Sequence, residues 1–234
     1  MKAANLKIRC SALGQIMTNP RSKGEGLLSE TCQKYLSQLY VSYKCGREKE
    51  TVTKYMTKGL QVEEDSLTVF SRYKGKIYFK NQERLNNDFI QGTPDIVVNS
   101  LVIDIKSSWD IFTFFATKRD KLNQSYFYQL QGYMALTGAE GAELAYCLVN
   151  TPPGLIQDEK TKLLYKIGSG KATSENYLEA CDRIDKLMTF DDIPLRERVN
   201  IISIERDENA IRGVYERVEQ CREYWAKTYE EETP

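Results

Sequence analysis

Two aspartates and a lysine stand close together in the middle of the sequence, in a stretch whose pattern predicts a β-hairpin. Two apolar runs flank Asn99-Ser100, and asparagine tolerates the positive φ that a tight two-residue turn requires. Asp95 then lies opposite Asp104, and opposed residues share one face of the sheet with Cβ atoms roughly 5 Å apart. Lys106 comes two residues after Asp104 and points to the same face. The turn also pairs Val98 with Leu101, Val97 with Val102, and Ile96 with Ile103.

The two opposed carboxylates repel each other, which destabilises a sheet unless a cation lies between them. A divalent metal ion is the natural candidate, because every side-chain ligand offered here is an oxygen atom. Lys106 beside such an ion could hold the attacking water or neutralise charge that develops on a phosphate. The pattern of Asp, a short gap and Asp-x-Lys is common, however, with roughly one chance match expected in a chain of this length. An exposed hairpin with scattered charges is therefore the alternative.

A glutamate interrupts the apolar stripe of the helix that we predict at about residues 52–73. Glu63 stands within the 4-3-4-3 spacing that runs from Met56 to Phe70, so it shares a helix face with apolar residues. A buried carboxylate without a partner is costly, and it must pair, bind a metal or take up a proton. The alternative is an acid at the edge of the helix that pairs with a lysine.

A second polar pair lies on the helix predicted at residues 124–137, which Gly138 ends. Gln129 and Tyr133 are four residues apart and therefore stand on one face of that helix. The alternative for this pair is a surface glutamine and a half-buried tyrosine.

The composition excludes several classes of catalytic site. The 234 residues contain no histidine, which excludes Ser-His-Asp and Cys-His nucleophiles, His-Asn-His nucleases and most zinc hydrolases. The formal net charge is zero, so a nucleic-acid partner would need a local basic channel. Six cysteines without a Cys-x-x-Cys pair predict reduced core thiols. We expect a soluble, cytoplasmic chain, because we find no leader-like start and no apolar run long enough to span a bilayer.

The length allows one sizeable core, and one domain over residues 1–234 is the default expectation. Apolar periodicity and turn residues predict the remaining elements. The predicted helices cover 27–43, 175–188 and 208–229. The predicted strands cover 143–149 and 199–206, and 74–90 is a candidate strand region with an apolar run at 76–80. Between these elements we predict a loop at 19–24, a polar, lysine-rich insertion opened by 151–154, a turn at 168–173 and a frayed tail at 230–234.

Four motifs in one order resemble the PD-(D/E)XK nuclease superfamily and, within its RecB-like branch, the lambda exonuclease and YqaJ viral recombinase families. Asp104 stands where that group often has glutamate, which the superfamily tolerates. The resemblance covers about residues 56–138, and more loosely 199–225. It implies an α/β fold with a restriction-endonuclease-like core, in which a central mixed β-sheet carries the hairpin and helices cover both faces. The motifs are Gly59-Leu-Gln-Val-Glu63, Thr93-Pro-Asp95, Asp104-Ile-Lys106, and Gln129 with Tyr133.

The resemblance also implies a mechanism with one or two Mg²⁺ or Mn²⁺ ions, which activate water and stabilise the phosphate and the leaving oxygen. Lys106 would position the attacking water, and Gln129 and Tyr133 would support the lysine and the scissile strand. The implied metal ligands are Glu63, Asp95, Asp104 and the main-chain carbonyl of Ile105.

The resemblance suggests three candidate DNA contacts. Ser11, just ahead of a predicted helix, resembles a serine that helps to bind the 5′ phosphate in the phage exonucleases. The arginine that accompanies it there has no clear match. Lys7, Arg9 and Arg21 are nearby candidates, of which we include Arg9, together with Ser107 beside Lys106. CRISPR-associated members of the superfamily carry an iron–sulfur cluster on four cysteines. The late cysteines of this chain are isolated, so we expect no iron–sulfur cluster.

The implied function is a metal-dependent DNA exonuclease, 5′→3′ on double-stranded DNA ends, in phage-type recombination or DNA processing. A structure-specific endonuclease or nickase of the same superfamily and a catalytically inactive DNA-binding protein are the alternatives. Such enzymes often work with a single-strand annealing protein, and the lambda enzyme is a ring trimer, so a homo-oligomer is a further implication. The expected location is the cytoplasm, which is that of the host if a phage encodes the protein, and no membrane partner is expected.

Overall fold

The structure, a computed structural model, describes residues 1–21, 26–49, 53–168 and 174–230. The predicted loop at 19–24, the turn at 168–173 and the tail at 230–234 lie partly or largely outside these residues. The strands are β1 (Ile8–Arg9), β2 (Leu85–Asn86), β3 (Ile90–Gly92), β4 (Ile96–Val98), β5 (Leu101–Ser107), β6 (Gly141–Cys147) and β7 (Val199–Glu205). The α-helices are α1 (Leu13–Ile16), α2 (Glu30–Cys45), α3 (Lys54–Gln61), α4 (Glu63–Lys74), α5 (Ile111–Ala116), α6 (Gln124–Thr137), α7 (Pro153–Ile167), α8 (Glu175–Met188) and α9 (Glu208–Trp225).

The strands form two mixed sheets with helices packed around them, so the predicted α/β class is confirmed. The larger sheet has the order β4-β5-β6-β7, in which only the β5–β6 pair is parallel. The smaller sheet has the order β1-β3-β2, with β1 parallel and β2 antiparallel to β3. The larger mixed sheet carries the hairpin, and the chain passes from β3 in the smaller sheet to β4 in the larger one.

The hairpin has the predicted register. Ile96 pairs with Ile103 and Val98 with Leu101, and Asn99 adopts a positive φ of 52° in the turn. β5 lies between β4 and β6: its first three residues, Leu101–Ile103, pair with β4, and the whole strand pairs with β6. A strand in that position has a fixed direction for each side chain, because shifting the pairing by one residue would move every side chain to the opposite face.

The two faces of the larger sheet pack against different helices. Val102, Ala142 and Leu144 belong to a cluster that includes residues of α1, α2, α6 and α9. The alternate residues, including Ile103 and Ala145, pack on the other face with Val69 and Phe70 of α4 among others. Residues of β5 at even numbers therefore face α6, and this places Asp104 and Lys106 on the α6 side.

Helix α6 begins and ends where the sequence predicts, at Gln124 and Thr137. Asn123 caps its first turn, and Gly138 ends it with a φ of 73°. Its position depends on a close approach around Cys10: a Cβ at Gly132 would lie 3.0 Å from Cys10 Sγ, and one at Gly92 would lie 2.7 Å from Tyr133 Cε1. The N-terminal segment and β3 are thus packed directly onto the face of α6 that carries Gln129 and Tyr133.

The helix predicted at 52–73 is divided into α3 and α4 at Val62, whose φ and ψ are −110° and 19°. The predicted apolar stripe is wrong for the first half, since Met56 and Leu60 are 53% and 74% exposed. Val62 and Lys58 are the buried side chains instead, at 1% exposure each. Burying Val62 in the cluster beneath the hairpin changes the direction of the chain there, and it leaves Glu63 to begin α4.

The candidate strand region at 74–90 is a strand only in part. It contains β2 and the start of β3, whereas residues 76–80 form no strand, and Ile77 and Phe79 are exposed. Just after this run, Asn81 binds the carbonyl groups of Pro94 and Asp95. The insertion that opens at 151–154 contains α7, which Pro153 begins; this position suits proline because its missing N–H would have no partner in the first turn.

The remaining helices and strands lie near their predicted positions. β6 and β7 each end within two residues of the prediction, α8 matches it, and α2 begins at Glu30. α9 ends at Trp225 and continues as a π-helical turn over Ala226–Glu230. Among the described residues, no helix combines the length and apolar character needed to cross a membrane.

Candidate active site

Main-chain hydrogen bonds fix Asp95 at the entrance of the hairpin. It directly precedes β4, and its carboxylate Oδ2 accepts a hydrogen bond of 2.7 Å from the amide of Ile105 on β5. The amide of Asn81 donates to the carbonyl of Asp95 at 2.7 Å, and the Asn81 side chain donates to the carbonyl of Pro94 at 3.1 Å. The carboxylate of Asp95 is therefore held across the edge of the two strands.

Asp104 lies at the centre of a buried polar network and is 2% exposed. Lys106 Nζ lies 2.7 Å from its Oδ2 in an ion pair. Gln129 Nε2 donates to Asp104 Oδ1 and to the hydroxyl of Tyr133, both at 3.1 Å. The structure thus brings together Asp104, Lys106 and the helix pair, which two separate motifs predict.

The charges of this network are unbalanced. The pKa of Asp95 is raised from 3.8 to about 6, chiefly by burial and then by the charge of Asp104, against the opposing effects of Lys106 and the Ile105 amide. Burial lowers the pKa of Lys106, but the carboxylates of Asp104 and Asp95 outweigh it, so the net pKa lies above its ordinary value. Two carboxylates share one ammonium group, and an additional cation would relieve their repulsion.

Glu63 contributes from the opposite side, as the first residue of α4. Its Oε2 lies 2.6 Å from Lys80 Nζ, and the two side chains are 40% and 38% exposed. The hydrogen bond with Glu63 raises the pKa of Lys80, and the charges of Asp95 and Glu64 add to the rise. In this structure Glu63 is therefore the acid paired with a lysine that we gave as its alternative, although it also faces the same cavity as Asp95.

A cavity of about 550 Å³ opens over these residues. Its polar wall includes Glu63, Asp95, Lys106 and Ser107, and the Ser107 hydroxyl lies 2.7 Å from that of Ser66. Its aromatic wall consists of Tyr55, Trp109, Tyr126 and Tyr146. The faces of such rings can stack on the bases of a nucleic acid strand.

Lys58 of α3 holds the chain that follows β5. Its Nζ donates to the carbonyl groups of Ser108 at 2.7 Å and Trp109 at 2.9 Å. Burial lowers the pKa of Lys58 to about 8, against the opposing charge of Asp110. This buried contact fixes Trp109 and hence part of the aromatic wall.

The oxygen atoms at this site suit a hard divalent cation such as Mg²⁺. Glu63 and Asp95 face the cavity, and Ile105, whose carbonyl is a predicted ligand, also lines it. Asp104 is turned toward its lysine and glutamine partners. Within the described residues, no three acidic, cysteine or histidine side chains are gathered closely enough to hold a metal ion. Burial and then the charge of Asp104 raise the pKa of Asp95, so the residues fit a cation that would stabilise both carboxylates.

The three predicted DNA contacts are not in one place. Ser107 lines the cavity above, whereas Arg9 lines a separate cavity together with Gln91. Ser11 is exposed in a 3₁₀ turn and lines neither of these cavities. Lys58 and Lys80 belong to no motif, so the sequence alone does not identify them. The functional roles of all these residues stay predictions.

Comparison with known proteins supplies the family. No family model matches the sequence, and a search of curated proteins found no significant match. A solved structure of a phage-related exonuclease from Haemophilus somnus 129PT is 30% identical to this chain, with a TM-score of 0.76, and the alignment covers 97% of this chain and 96% of that chain. This chain belongs to the phage-related exonuclease family.

Two further solved structures share the fold of this family member. LHK-Exo, an alkaline exonuclease from Laribacter hongkongensis, is 17% identical, with a TM-score of 0.63 and coverage of 98% of this chain and 96% of that chain. The structure of LHK-Exo in complex with dAMP is 18% identical, with the same TM-score and the same coverage. At these identities the likeness extends to the fold.

Proposed function

We propose that this protein is a Mg²⁺- or Mn²⁺-dependent DNA exonuclease of the PD-(D/E)XK superfamily, in its lambda exonuclease and YqaJ group, which degrades double-stranded DNA from its ends in the 5′→3′ direction. The observation that carries the proposal is the network of Asp104, Lys106 and Gln129 beside Asp95, at the edge of an open cavity. The similarity to the exonuclease from Haemophilus somnus supports the same reaction class.

The residues suggest how a phosphodiester would be hydrolysed. Glu63, Asp95, Asp104 and the carbonyl of Ile105 would hold the metal. When bound, a divalent ion supplies Lewis acidity and a water of lowered pKa. The carboxylates have no histidine to assist them anywhere in the sequence, so the remaining polar chemistry falls to lysine and amide groups.

Lys106 acts in this proposal as a charged donor. Its pKa lies above the ordinary value, so the ammonium has no lone pair at neutral pH with which to accept a proton. It can orient a water through its N–H groups and neutralise charge on the phosphate. Its ion pair with Asp104 and its position over the ring of Tyr126, with Nζ 5.4 Å from the centroid, direct it toward the cavity wall.

Gln129 acts through Asp104. It fixes one carboxylate oxygen by a hydrogen bond and is itself hydrogen-bonded to Tyr133, which is 6% exposed. We assign both residues a positioning role, because a carboxylate with one oxygen held has fewer orientations to lose when it binds a ligand.

Several finer features belong to the same proposal. They are action in phage-type recombination or DNA processing in the cytoplasm, cooperation with a single-strand annealing protein, and assembly as a homo-oligomer. Light scattering after size-exclusion chromatography tests the assembly directly. A trimer is expected, and a monomer at all protein concentrations would contradict a ring-shaped homo-oligomer.

The decisive test uses end-labelled linear duplex DNA and the same sequence as a closed circle. Each is incubated with Mg²⁺, with Mn²⁺ and with EDTA, using the native protein, the Lys106→Ala variant and a Lys162→Ala control. Lys162 is a matched control because it is a lysine whose side chain is 65% exposed on α7. We expect loss of the linear DNA alone, with label released from the 5′ end first, and a fall of at least about 100-fold for Lys106→Ala.

The other results distinguish the alternatives. Cleavage of the circle would identify an endonuclease or nickase. DNA binding without cleavage in either metal would identify a binding protein that keeps the fold. Cleavage that resists EDTA, or that Lys106→Ala leaves unchanged, would contradict the proposed mechanism.

A further inference from the structure

A second cavity, of about 300 Å³, lies between β1, β3 and α2, and none of the candidate metal ligands lines it. We call it the basic cavity. Four cationic side chains line it together with one carboxylate, that of Glu48. The four are Lys7, Arg9, Lys49 and Arg84.

This concentration of positive charge is local, because the formal net charge of the whole chain is zero. Among the described residues, Arg9, Lys49 and Arg84 make no ion pair, and Lys7 Nζ donates to a neutral group, Asn86 Oδ1, at 2.7 Å. Unpaired guanidinium groups match the geometry of phosphate oxygens, to which they can donate two parallel hydrogen bonds. The charges of the basic cavity therefore favour an anion, and a phosphate in particular.

The hydroxyl of Tyr35 is an independent sign of a ligand. Tyr35 lines the basic cavity and is 5% exposed, and its hydroxyl makes no hydrogen bond of normal geometry to a described residue. Burial raises the pKa of Tyr35, and the neighbouring Arg9 offsets the rise only in part. Buried hydroxyl groups are nearly always hydrogen-bonded, so an unsatisfied one beside a basic cavity points to an acceptor that binds there.

The basic cavity is connected to the candidate active site through β3. Gln91 lines the cavity and pairs with Arg9, and it precedes Asp95 by four residues. Four residues of extended chain span at most about 14 Å. One strand of duplex DNA advances about 3.4 Å per nucleotide, so roughly four nucleotides cover that distance. A single strand can therefore contact both places.

We propose that the basic cavity binds an internal phosphate of the DNA strand that is being degraded, at most about four nucleotides from the scissile bond. This rests on the proposed function, since it takes DNA as the substrate. Arg9 and Arg84 hold the phosphate, and the Tyr35 hydroxyl donates to it. The contact holds the strand in register while the carboxylate site acts on the bond.

The test measures binding of labelled linear duplex in EDTA over a series of KCl concentrations, so that no cleavage occurs. Arg9→Gln and Arg84→Gln are compared with the native protein and with Arg196→Gln, a control arginine whose side chain is 83% exposed. Each cavity variant is expected to lower the slope of log affinity against log salt by about 1, as the loss of one phosphate contact does. The control keeps the native slope. A native slope in both cavity variants overturns the proposal.

The same binding assay on a duplex with a 5′ phosphate and on one with a 5′ hydroxyl shows which phosphate the cavity binds. An effect of the two variants on both duplexes shows an internal phosphate, as expected here. An effect confined to the 5′-phosphorylated duplex places the terminal phosphate in the cavity. That result overturns the proposal that the cavity binds an internal phosphate.

Tyr35→Phe separates binding from folding, because it removes only the hydroxyl. We expect weaker DNA binding with at most a small fall in thermal stability, since the hydroxyl only approaches Arg9 and makes no hydrogen bond of normal geometry. Native binding by Tyr35→Phe would overturn the role of this residue. Gln129→Leu distinguishes the two proposals: it should lower cleavage and keep the native salt slope, because it removes no cationic group. A protein that cleaves DNA but shows no effect of the arginine variants would refute the cavity alone.

Discussion

The two sides of the candidate active site are built differently. On the sheet side, Asp104 is 2% exposed and is bound by Lys106 and Gln129, while Asp95 is fixed by a main-chain amide. On the helix side, Glu63 is bound to Lys80 at the exposed start of a helix. The sheet side is therefore in place before any ligand binds, whereas the helix side is free to adjust.

The difference has a physical reason. The hairpin register fixes the direction of each side chain on β5, and the strand cannot shift without losing its hydrogen bonds to β6 along its whole length and to β4 at its start. An exposed ion pair contributes only about 0–1 kcal/mol, so the Glu63–Lys80 pair can be exchanged for another cation at small cost. The comparison suggests that metal binding organises the helix side around a fixed sheet side.

The largest expected difference in the stability of the metal-free protein is between Asp104→Asn and Glu63→Gln. Both should lower cleavage by at least about 100-fold, because each removes a proposed ligand charge. Asp104→Asn should also destabilise the metal-free protein by about 2–3 kcal/mol, somewhat less than the roughly 3–5 kcal/mol of a fully broken buried pair, because Asp95 still compensates Lys106 in part. Glu63→Gln should cost less than about 1 kcal/mol. Urea unfolding in EDTA measures both, and equal costs would remove the distinction between the two sides.

Substituting two glutamines of α6 distinguishes a loss of activity at the site from a loss of stability. Gln129→Leu should lower cleavage by about 10–100-fold, because Asp104 loses a partner that orients it. Gln131 is also buried, but it donates to the carbonyl of Glu205 and accepts from the amide of Asp207, far from the cavity residues in the network. Gln131→Leu should therefore destabilise the protein by about 1–3 kcal/mol and leave the activity of the folded fraction unchanged. Cleavage rates normalised to the folded fraction test this, and equal losses of activity would contradict it.

Asp95→Asn should stabilise the metal-free protein at alkaline pH. The folded pKa of about 6 exceeds the ordinary 3.8, so the folded state holds this proton more tightly than the unfolded state does. Stability is consequently lost as the pH rises from about 4 through 6, and the full cost, about 3 kcal/mol at most, is present above that range. Thermal unfolding in EDTA at pH 5 and pH 8 measures it. A variant that is stabilised equally at both pH values would show that ionisation of Asp95 is not the cause.

The ionisation of Asp95 also predicts that Mg²⁺ stabilises the protein against thermal unfolding in a pH-dependent way. Mg²⁺ should raise the melting temperature of the native protein at pH 8, and much less at pH 5, where Asp95 is mostly protonated. Asp95→Asn should lose this protection, since a neutral amide replaces the ligand charge.

The smallest effect is expected from Lys80→Ala. Removing the lysine that pairs with Glu63 should tighten Mg²⁺ binding by several-fold, equivalent to about 1 kcal/mol, with a similarly small loss of stability in EDTA. Calorimetric titration with Mg²⁺ measures it, with Lys76→Ala as a lysine control from the same irregular segment. Weaker binding in Lys80→Ala would mean that this lysine supports the site rather than competing with the metal.

Sequence alone predicts the sheet side well and the helix side poorly. The apolar runs around Asn99 determine the hairpin register, and the caps Asn123 and Gly138 determine the bounds of α6, so both follow from local rules. The break at Val62 and the exposure of Leu60 follow from tertiary burial beneath the hairpin, which no periodicity in the helix reveals. Lys80 reaches Glu63 from an irregular segment, and its partner cannot be read from spacing.

The packing of Cys10 between β3 and α6 also affects the order in which the protein folds. Cys10 approaches Gly92 and Gly132, which are 82 and 122 residues further along the chain. Contacts of such high sequence separation require closure of long loops and slow the folding of a domain, whereas α6 and the hairpin are local structures. A refolding chain should therefore regain its helices before Gln129 is set against Asp104, and nuclease activity should return with the slowest phase.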